Sequence, residues 1–457
     1  MTTALRVWLF SLIALRAFGA DSGGWQAGVA RTAITPAAPL WMTGYAVRDH
    51  PAEGRAQELW VKALALQDAA GHRAIVITAD LCGVTRAISE RVAAELRRKY
   101  SIPRSAVLVN ASHTHCSPSI DGYLSGLRDY SDADRAAIAA YTLKVSDQMV
   151  ATATAAIAAA QPAQLTASRD RATFAMNRRN NSEKEAPARI AAGKLAGPVD
   201  YDVPVLAVRD HTGKLLAVLV SYACHNTTLS FYQWHGDYAG CALQDLEERH
   251  AGALALFAQG CAGNINPFPR GSTTFAEQHG RDLADAVDRA LVAPGDTVSG
   301  SFASVLSDVP LEFAQRPSDE EIRAAAASTK PAASRQMDQA WSKIMAAEAA
   351  QGGIALTYSY PVQAWRLGNL TWVALGGEAV VDYALRLKGE LGKNLWVLAY
   401  SNDVMAYIPS EAVLKEGGYE GKTSMIPYGR PSAWAPGLEE KIVAQVRSSV
   451  SELAVRR

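Results

Sequence analysis

Apolar runs of strand length alternate with helix-like segments along most of the chain, and this alternation constrains the fold more than any other feature of the sequence. Residues 72–81 and 105–110 are apolar runs typical of buried strands. Between them, residues 86–100 repeat apolar side chains at the spacing of one helix face, and Ser131 and Asp134 have the spacing of a capping box at the start of a long helix. Strands and helices in this order predict an α/β fold.

Two segments depart from this alternation. Residues 180–200 are polar and contain Gly and Pro, which predicts an excursion on the surface. Residues 318–351 are rich in Ala and carry charges at helical spacing, which predicts one or two exposed helices. The sequence contains no internal repeat and no glycine loop of the kind that binds phosphate.

The balance of positive and negative residues limits the classes of partner that the protein could bind. Lys+Arg and Asp+Glu are both 45 among 457 residues, so nothing favours nucleic acid as a partner.

Residues 1–20 combine an arginine, an apolar core and a small-residue end, which predicts a signal peptide and a secreted or periplasmic protein; a buried or anchoring helix is the alternative. The mature chain would then start near Asp21. Five cysteines exclude a disulfide framework but leave one bridge open, with Cys224 and Cys241 as a candidate pair.

Five strand-like runs end in small or polar residues that include a group able to bind a metal or to catalyse a reaction. In open α/β sheets such groups collect beyond the carboxyl ends of the strands, so the five runs predict one shared site. The groups are His113 with His115, His225, the segment of residues 258–267, Glu378, and Tyr407.

The residue types are those of a zinc site, because two imidazoles and a carboxylate are usual ligands of this ion. At strand period, His113 and His115 would share a face, so both could bind metal, or one could bind metal while the other transfers protons. The pair could also be polar residues at a strand end, and His225 a hydrogen-bonded core histidine. Glu378 is harder to explain in that way, because a buried carboxylate needs a partner.

Two glycine-containing segments could present backbone N–H groups to a reacting atom. They are residues 235–240 and 260–267, where the glycines permit close approach of the backbone. Ordinary turns between a strand and a helix are the alternative interpretation.

The order of these motifs resembles that of the neutral (non-lysosomal) ceramidase family, in its catalytic domain. The matching motifs span residues 26–425 and are GVARTAITP, WMTGYA, VNASHTHCSP, SYACHNTT, HGDYAG, FAQGCAGNINP, LGGEAVVDYALRLK and YSNDVMAYIPSEAVLKEGGYEG. The resemblance implies mixed β-sheets flanked by helices and one zinc hydrolase domain over residues 21–457. It also implies cleavage of the amide bond of an N-acyl lipid such as ceramide to a fatty acid and an amine.

Matching positions give two sets of site residues. The resemblance implies one Zn²⁺ per chain, with four ligands: His113, His225, Glu378 and Tyr407. It implies a second set near the reacting amide: His115, Tyr419 and Arg178, with Arg179 as the alternative arginine. Asp80 also matches a family motif and is expected only in a supporting position.

Two departures from the family bear on the mechanism. Asn266 stands where the family has serine, which excludes a serine acyl-enzyme there and favours direct attack by zinc-bound hydroxide. Tyr419, His115 and Asn266 would then stabilise the oxyanion, and His115 would protonate the leaving amine. The chain ends at Arg457, so we expect the family's trailing immunoglobulin-like domain to be absent.

Two other functions are compatible with the same residues. One is a zinc hydrolase of a smaller N-acyl or ester substrate. The other is a non-catalytic secreted binding protein, which the asparagine favours and the retained ligand set disfavours. The expected partner is a lipid or another N-acyl small molecule, with transient contact to a membrane surface if the substrate is a lipid, and no nucleic acid.

Overall fold

The computed structural model describes residues 24–455, so the predicted signal peptide lies outside the described residues. The strands are β1 Trp25–Ala33, β2 Gly54–Arg55, β3 Trp60–Gln67, β4 Arg73–Ala79, β5 Val107–Ala111, β6 Gln161–Arg171, β7 Ala175–Asn177, β8 Asp202–Asp210, β9 Leu215–Tyr222, β10 Gln233–Trp234, β11 Leu254–Gln259, β12 Ile265–Pro267, β13 Asp296–Thr297, β14 Phe302–Glu312, β15 Thr357–Leu367, β16 Leu370–Leu375, β17 Glu378–Ala379, β18 Trp396–Leu398 and β19 Tyr407–Ile408. The helices are α1 Arg86–Tyr100, α2 Asp132–Ala158, α3 Ala186–Ala191, α4 Asp237–Arg249, α5 Thr273–Val292, α6 Asp319–Ala326, α7 Ala332–Ala350, α8 Val381–Leu391, α9 Glu411–Glu416, α10 Gly418–Gly421 and α11 Leu438–Val455.

Two mixed β-sheets form the centre of the molecule. The larger has nine strands in the order β11-β9-β8-β6-β1-β3-β4-β5, with β13 paired to β6. Its outer pairs, β9 with β11 and β4 with β5, are parallel, and its inner pairs are antiparallel. The smaller sheet has the order β14-β15-β16-β18 and ends in a parallel pair. Because helices flank these mixed sheets, the predicted fold class is confirmed.

The helices form where the sequence predicts them. In α1, Ile88, Val92 and Leu96 are at most 2% exposed and face the sheet. At the start of α2, the Ser131 side chain accepts a hydrogen bond from the Asp134 backbone N–H, as the cap spacing predicts.

The two unusual segments also behave as the sequence indicates. The polar segment of residues 180–200 contains the short helix α3 and is mostly exposed. The Ala-rich segment forms α6 and α7, and α6 buries none of its side chains. No helix of residues 24–455 has the length and apolar character needed to cross a membrane. All five cysteines are free, so Cys224 and Cys241 are not paired.

Asn110, at the end of β5, joins the two sheets. Its side-chain Nδ2 donates to the Ala399 carbonyl at 2.7 Å and to Ser401 Oγ at 3.0 Å, in the segment that follows β18. Its Oδ1 accepts from the Gln259 backbone N–H at 2.8 Å, at the end of β11. One fully buried side chain thus holds the carboxyl ends of strands from both sheets together.

Replacing Asn110 by Ala is expected to lower the free energy of unfolding by about 1–3 kcal/mol, because it leaves the buried Gln259 N–H without its partner, whereas the Ala399 carbonyl keeps the hydrogen bond from Ser401 Oγ. Urea unfolding of the purified protein measures this change. Asn369→Ala is the matched control: Asn369 is exposed and also bonds to two backbone groups, at Thr297 and Ser299. Equal losses in the two variants would contradict the role of Asn110.

Candidate metal centre and active site

The predicted strand geometry of the two histidines near residue 114 is wrong, although their rings do meet. Strand β5 ends at Ala111, and His113 has φ 65°, in the left-handed region. The backbone turns there because the His113 N–H donates to the Leu81 carbonyl at 2.9 Å. The turn brings Nε2 of His113 within 3.1 Å of Nε2 of His115. The two rings therefore meet through a left-handed turn and not through the period of a strand.

Three buried groups point their acceptor atoms at one another. His113 Nδ1 lies 2.5 Å from the Cys82 carbonyl, and His225 Nδ1 lies 2.6 Å from the Ala262 carbonyl, so each ring carries its proton on Nδ1. The Nε2 lone pairs face Glu378 Oε2 at 3.3 Å and 3.2 Å. The three atoms form a buried, negatively charged acceptor site, which a metal cation can neutralise.

Tyr407 supplies a fourth oxygen. Strands β17 and β19 pair in parallel and place Glu378 opposite Tyr407. The Tyr407 hydroxyl lies 3.2 Å from His225 Nε2 and accepts a hydrogen bond from Arg178 Nη2 at 3.1 Å. Ligands at 2.0–2.1 Å around a tetrahedral zinc are about 3.3 Å apart, which matches the separations in this cluster. The residues present therefore fit a zinc site with two nitrogen and two oxygen ligands.

The electrostatics of the cluster agree with this interpretation. Burial alone would lower the pKa of His113, but the adjacent Glu378 carboxylate and Cys82 together outweigh burial and raise the pKa to about 10. Burial would raise the pKa of Glu378, but the adjacent His113 lowers this pKa well below its usual range. Burial and then Arg178 lower the pKa of His225 to about 4. A proton on His113 thus takes the place of a cation when none is bound.

A second group of possible ligands shares His113 but does not fit one ion as well. The ligand atoms of Cys82, His113 and His115 all lie within 4.8 Å of one another. However, Cys82 Sγ is 3.7 Å from His113 Nδ1, whereas His115 approaches His113 Nε2. One cation cannot use both nitrogens of His113, and Nδ1 already donates to a carbonyl. The group of His113, His225 and Glu378 is the better metal site.

His115 lies beside the metal group, in a tight enclosure. Its Nδ1 is buried and has no hydrogen-bond partner. Arg48 Nη1 donates to the His115 carbonyl at 2.8 Å, and the Tyr45 ring lies 4.7 Å from the imidazole. A Cβ on Gly44 would lie 2.4 Å from the ring, so only glycine fits against it. Burial and the nearby His113 hold the pKa of His115 well below its usual value.

Arg178, and not Arg179, is the arginine in the cluster. Besides Tyr407, the Arg178 guanidinium bonds to Glu420 at 2.8 Å and to Asn266 Oδ1 at 3.1 Å. Arg179 instead pairs with Glu416 at 2.8 Å and with Glu420 at 2.7 Å. Asn266 therefore turns its amide oxygen towards Arg178.

Tyr419 is exposed at the edge of the site, whereas Asp80 is buried. The Tyr419 ring lies 5.3 Å from that of Tyr407 and is 48% exposed, so a ligand entering from solvent can reach it. Asp80 is buried and accepts from the Trp60 backbone N–H at 2.9 Å. Burial raises the pKa of Asp80 to about 6.

The glycine segments do not present the free N–H donors that the sequence suggested. Residues 235–240 run into α4, which starts at Asp237. The N–H groups of Gly260 and Gly263 already donate to the carbonyls of Tyr222 and Ala379. The alternative interpretation, turns between structural elements, is correct for these glycines.

Sequence reasoning missed two tyrosines on the candidate carboxylate ligand. Tyr428 donates to Glu378 Oε1, and Tyr400 donates to Oε2 at 3.2 Å. Tyr400 ends the last apolar run before residue 407, which is a signal of the kind used for the other strand ends. Tyr428 lies in a loop and carries no such signal.

Known proteins share both the sequence pattern and the fold. The family described as neutral/alkaline non-lysosomal ceramidase, N-terminal, matches residues 25–286. The neutral ceramidase of Pseudomonas aeruginosa is 24% identical over 269 residues, which are 54% of this chain and 38% of that protein. Neutral ceramidase A of Dictyostelium discoideum is 25% identical over 280 residues, 55% of this chain and 37% of that protein. The alignments thus span less than two fifths of either relative.

The fold comparison extends over more of the chain. A solved structure described as "Ceramidase complexed with C2" superposes with a TM-score of 0.70 at 20% identity, covering 93% of this chain and 76% of that one. The crystal structure of the neutral ceramidase from Pseudomonas aeruginosa gives a TM-score of 0.68 at 19% identity, with 93% and 75% covered. Because the family match also covers more than half of the sequence, this chain belongs to the neutral/alkaline non-lysosomal ceramidase family.

Proposed function

We propose that this protein hydrolyses the amide bond of an N-acyl lipid such as ceramide, releasing a fatty acid and an amine. One Zn²⁺ would be held by His113, His225, Glu378 and Tyr407. The observation that carries the proposal is the convergence of two buried imidazole Nε2 atoms on one carboxylate oxygen at 3.2–3.3 Å. Membership of a ceramidase family supports the choice of an amide lipid as substrate.

Zinc, when bound at such a site, acts as a Lewis acid and lowers the pKa of a bound water from 15.7 to about 7. The residues around it supply the rest of the chemistry. Tyr419 is the exposed donor nearest the cluster and would hydrogen-bond the carbonyl oxygen of the amide as negative charge develops there. His115, neutral because of its lowered pKa, would take up the proton released by the attacking water and pass it to the leaving nitrogen, because its ring adjoins the cluster.

Arg178 and Asn266 would set the charge and orientation of the site. Arg178 donates to the Tyr407 oxygen, which favours the phenolate form that binds a metal. The same guanidinium holds Asn266 Oδ1, and this contact leaves the Asn266 amide N–H groups as donors. Asn266 has no nucleophilic oxygen, so the proposed reaction involves no acyl-enzyme at that position.

Release of labelled fatty acid from a long-chain ceramide tests the proposal. The purified protein, loaded with one equivalent of Zn²⁺, is expected to release fatty acid, and a chelator is expected to abolish the release until zinc is restored. Release that is insensitive to chelation would contradict the metal centre.

Other outcomes would point to the competing functions. A zinc-loaded protein that leaves ceramide intact but cleaves short N-acyl amides or esters would be a hydrolase of smaller substrates. A zinc-loaded protein that binds ceramide without turnover would be a binding protein with the same fold.

A further inference from the structure

We infer that Tyr428 is a positioning residue for the metal: its hydroxyl engages one carboxylate oxygen of Glu378 and leaves the other as a single ligand atom. The inference rests on the proposed metal centre. It concerns a residue 50 positions after the carboxylate in sequence, in the loop between α10 and α11.

The two oxygens of Glu378 have different surroundings. Oε1 accepts a hydrogen bond from the Tyr428 hydroxyl. Oε2 faces the Nε2 atoms of His113 and His225 at 3.3 Å and 3.2 Å, and it also accepts from the Tyr400 hydroxyl at 3.2 Å. Glu378 and Tyr428 are 3% and 4% exposed, so water does not compete for these contacts. The contact with Tyr428 therefore identifies Oε1 as the carboxylate oxygen that would point away from a bound cation.

Tyr428 is itself held by a second buried tyrosine. The Tyr123 hydroxyl lies 3.3 Å from that of Tyr428 and 3.2 Å from the Cys82 carbonyl. A carboxylate can only accept, so Tyr428 gives its one proton to Glu378. The one proton of Tyr123 then has two acceptors within reach, the Cys82 carbonyl at 3.2 Å and the Tyr428 oxygen at 3.3 Å. The Cys82 carbonyl also accepts from His113 Nδ1 at 2.5 Å. One short segment therefore orients two candidate ligands, His113 directly and Glu378 through two tyrosines.

The number of oxygens that Glu378 gives to the metal decides how many positions remain for water. Catalytic zinc usually has three protein ligands and one open position, and it can expand to five ligands. With four candidate protein ligands here, a second carboxylate oxygen would take the fifth position, which a water needs. The Tyr428 hydrogen bond holds Oε1 in place, whereas Oε2, which also accepts from Tyr400, faces both imidazole nitrogens. Tyr428 therefore keeps Glu378 monodentate.

Replacing Tyr428 by Phe tests this role without removing a ligand. Loss of an outer-sphere hydrogen bond of this kind weakens metal binding by about 10–100-fold. We expect that decrease for Tyr428→Phe in a competition titration of the full chain with Zn²⁺ and a chromophoric chelator. In the Co²⁺-loaded variant, visible absorption is expected to weaken, because the freed carboxylate raises the coordination number.

Tyr141→Phe is the matched control. Tyr141 is also buried, and its hydroxyl donates to a backbone carbonyl, that of Ile34, at 2.8 Å. It should leave the Zn²⁺ affinity and the Co²⁺ spectrum unchanged, so the control separates a general loss of packing from an effect on Glu378. If Tyr428→Phe does not fold, Tyr123→Phe takes its place, with a smaller decrease of affinity expected.

The outcomes distinguish this inference from the proposed function. A wild-type protein that binds no Zn²⁺ would overturn the metal centre and the role of Tyr428 with it. A wild-type protein that binds Zn²⁺, together with tyrosine variants of unchanged affinity and Co²⁺ spectrum, would overturn the role of Tyr428 alone.

Discussion

Replacing His225 by Ala is expected to remove the metal from the protein and to lower amide hydrolysis by about 10³-fold or more. The reason is that His225 provides one of two imidazole nitrogens that face Glu378 Oε2, at 3.2 Å. Without it, the candidate ligand set keeps only one imidazole nitrogen. The transition-state stabilisation that a metal supplies is several kcal/mol, and about 4 kcal/mol corresponds to that factor.

Metal analysis after gel filtration, together with the ceramide assay, measures both effects. The matched control is His279→Ala, because His279 is similarly buried and its Nε2 bonds to a backbone carbonyl, that of Pro269, at 2.7 Å. The control should keep one Zn²⁺ per chain and most of the activity. Full metal content in His225→Ala would refute the proposed ligand set.

Replacing His115 by Ala is expected to leave zinc bound while turnover falls about 10²–10⁴-fold, which is the range for loss of a general acid or base. His115 lies 3.1 Å from His113 but is not in the group formed with His225 and Glu378. The variant would therefore keep every proposed ligand and lose only the group that protonates the leaving amine.

Rescue of His115→Ala by added imidazole tests directly whether the missing ring transfers protons. The alanine leaves a space next to Gly44, where the imidazole ring was enclosed. Added imidazole should enter this space and restore part of the turnover, in proportion to its concentration. An inactive variant that has lost its zinc would instead make His115 a ligand, and an active variant would exclude it from proton transfer.

The sequence predicts the architecture well, because local patterns determine it. The α/β alternation, the cap at Ser131 and the two Ala-rich helices follow from periodicity and capping, and the structure confirms them. The predicted exposure holds for α6, which buries no side chain, whereas α7 buries one face that includes Trp341 and Met345. The candidate ligands could also be found, since each follows an apolar run. Their roles remain predictions, although the structure brings His113, His225 and Glu378 together.

Other parts of the site could not be predicted, because they depend on contacts between distant segments. The turn at His113 is set by a hydrogen bond to the Leu81 carbonyl, and no local pattern indicates a positive φ for that histidine. Tyr428 reaches Glu378 from a loop 50 residues away. The N–H groups of the glycine segments are used within the fold, which only the tertiary structure reveals.

The contact between the two sheets at Asn110 implies that metal binding and folding stability are coupled. His113 and His225 follow strands of the larger sheet, whereas Glu378 and Tyr407 follow strands of the smaller one. A cation bound by all four would fasten the two sheets at the same edge as Asn110. Folding and metal binding are then linked equilibria: free zinc at 100 times its dissociation constant would add about 2.7 kcal/mol to the free energy of unfolding. In zinc-poor surroundings, the same chain would be less stable as well as inactive.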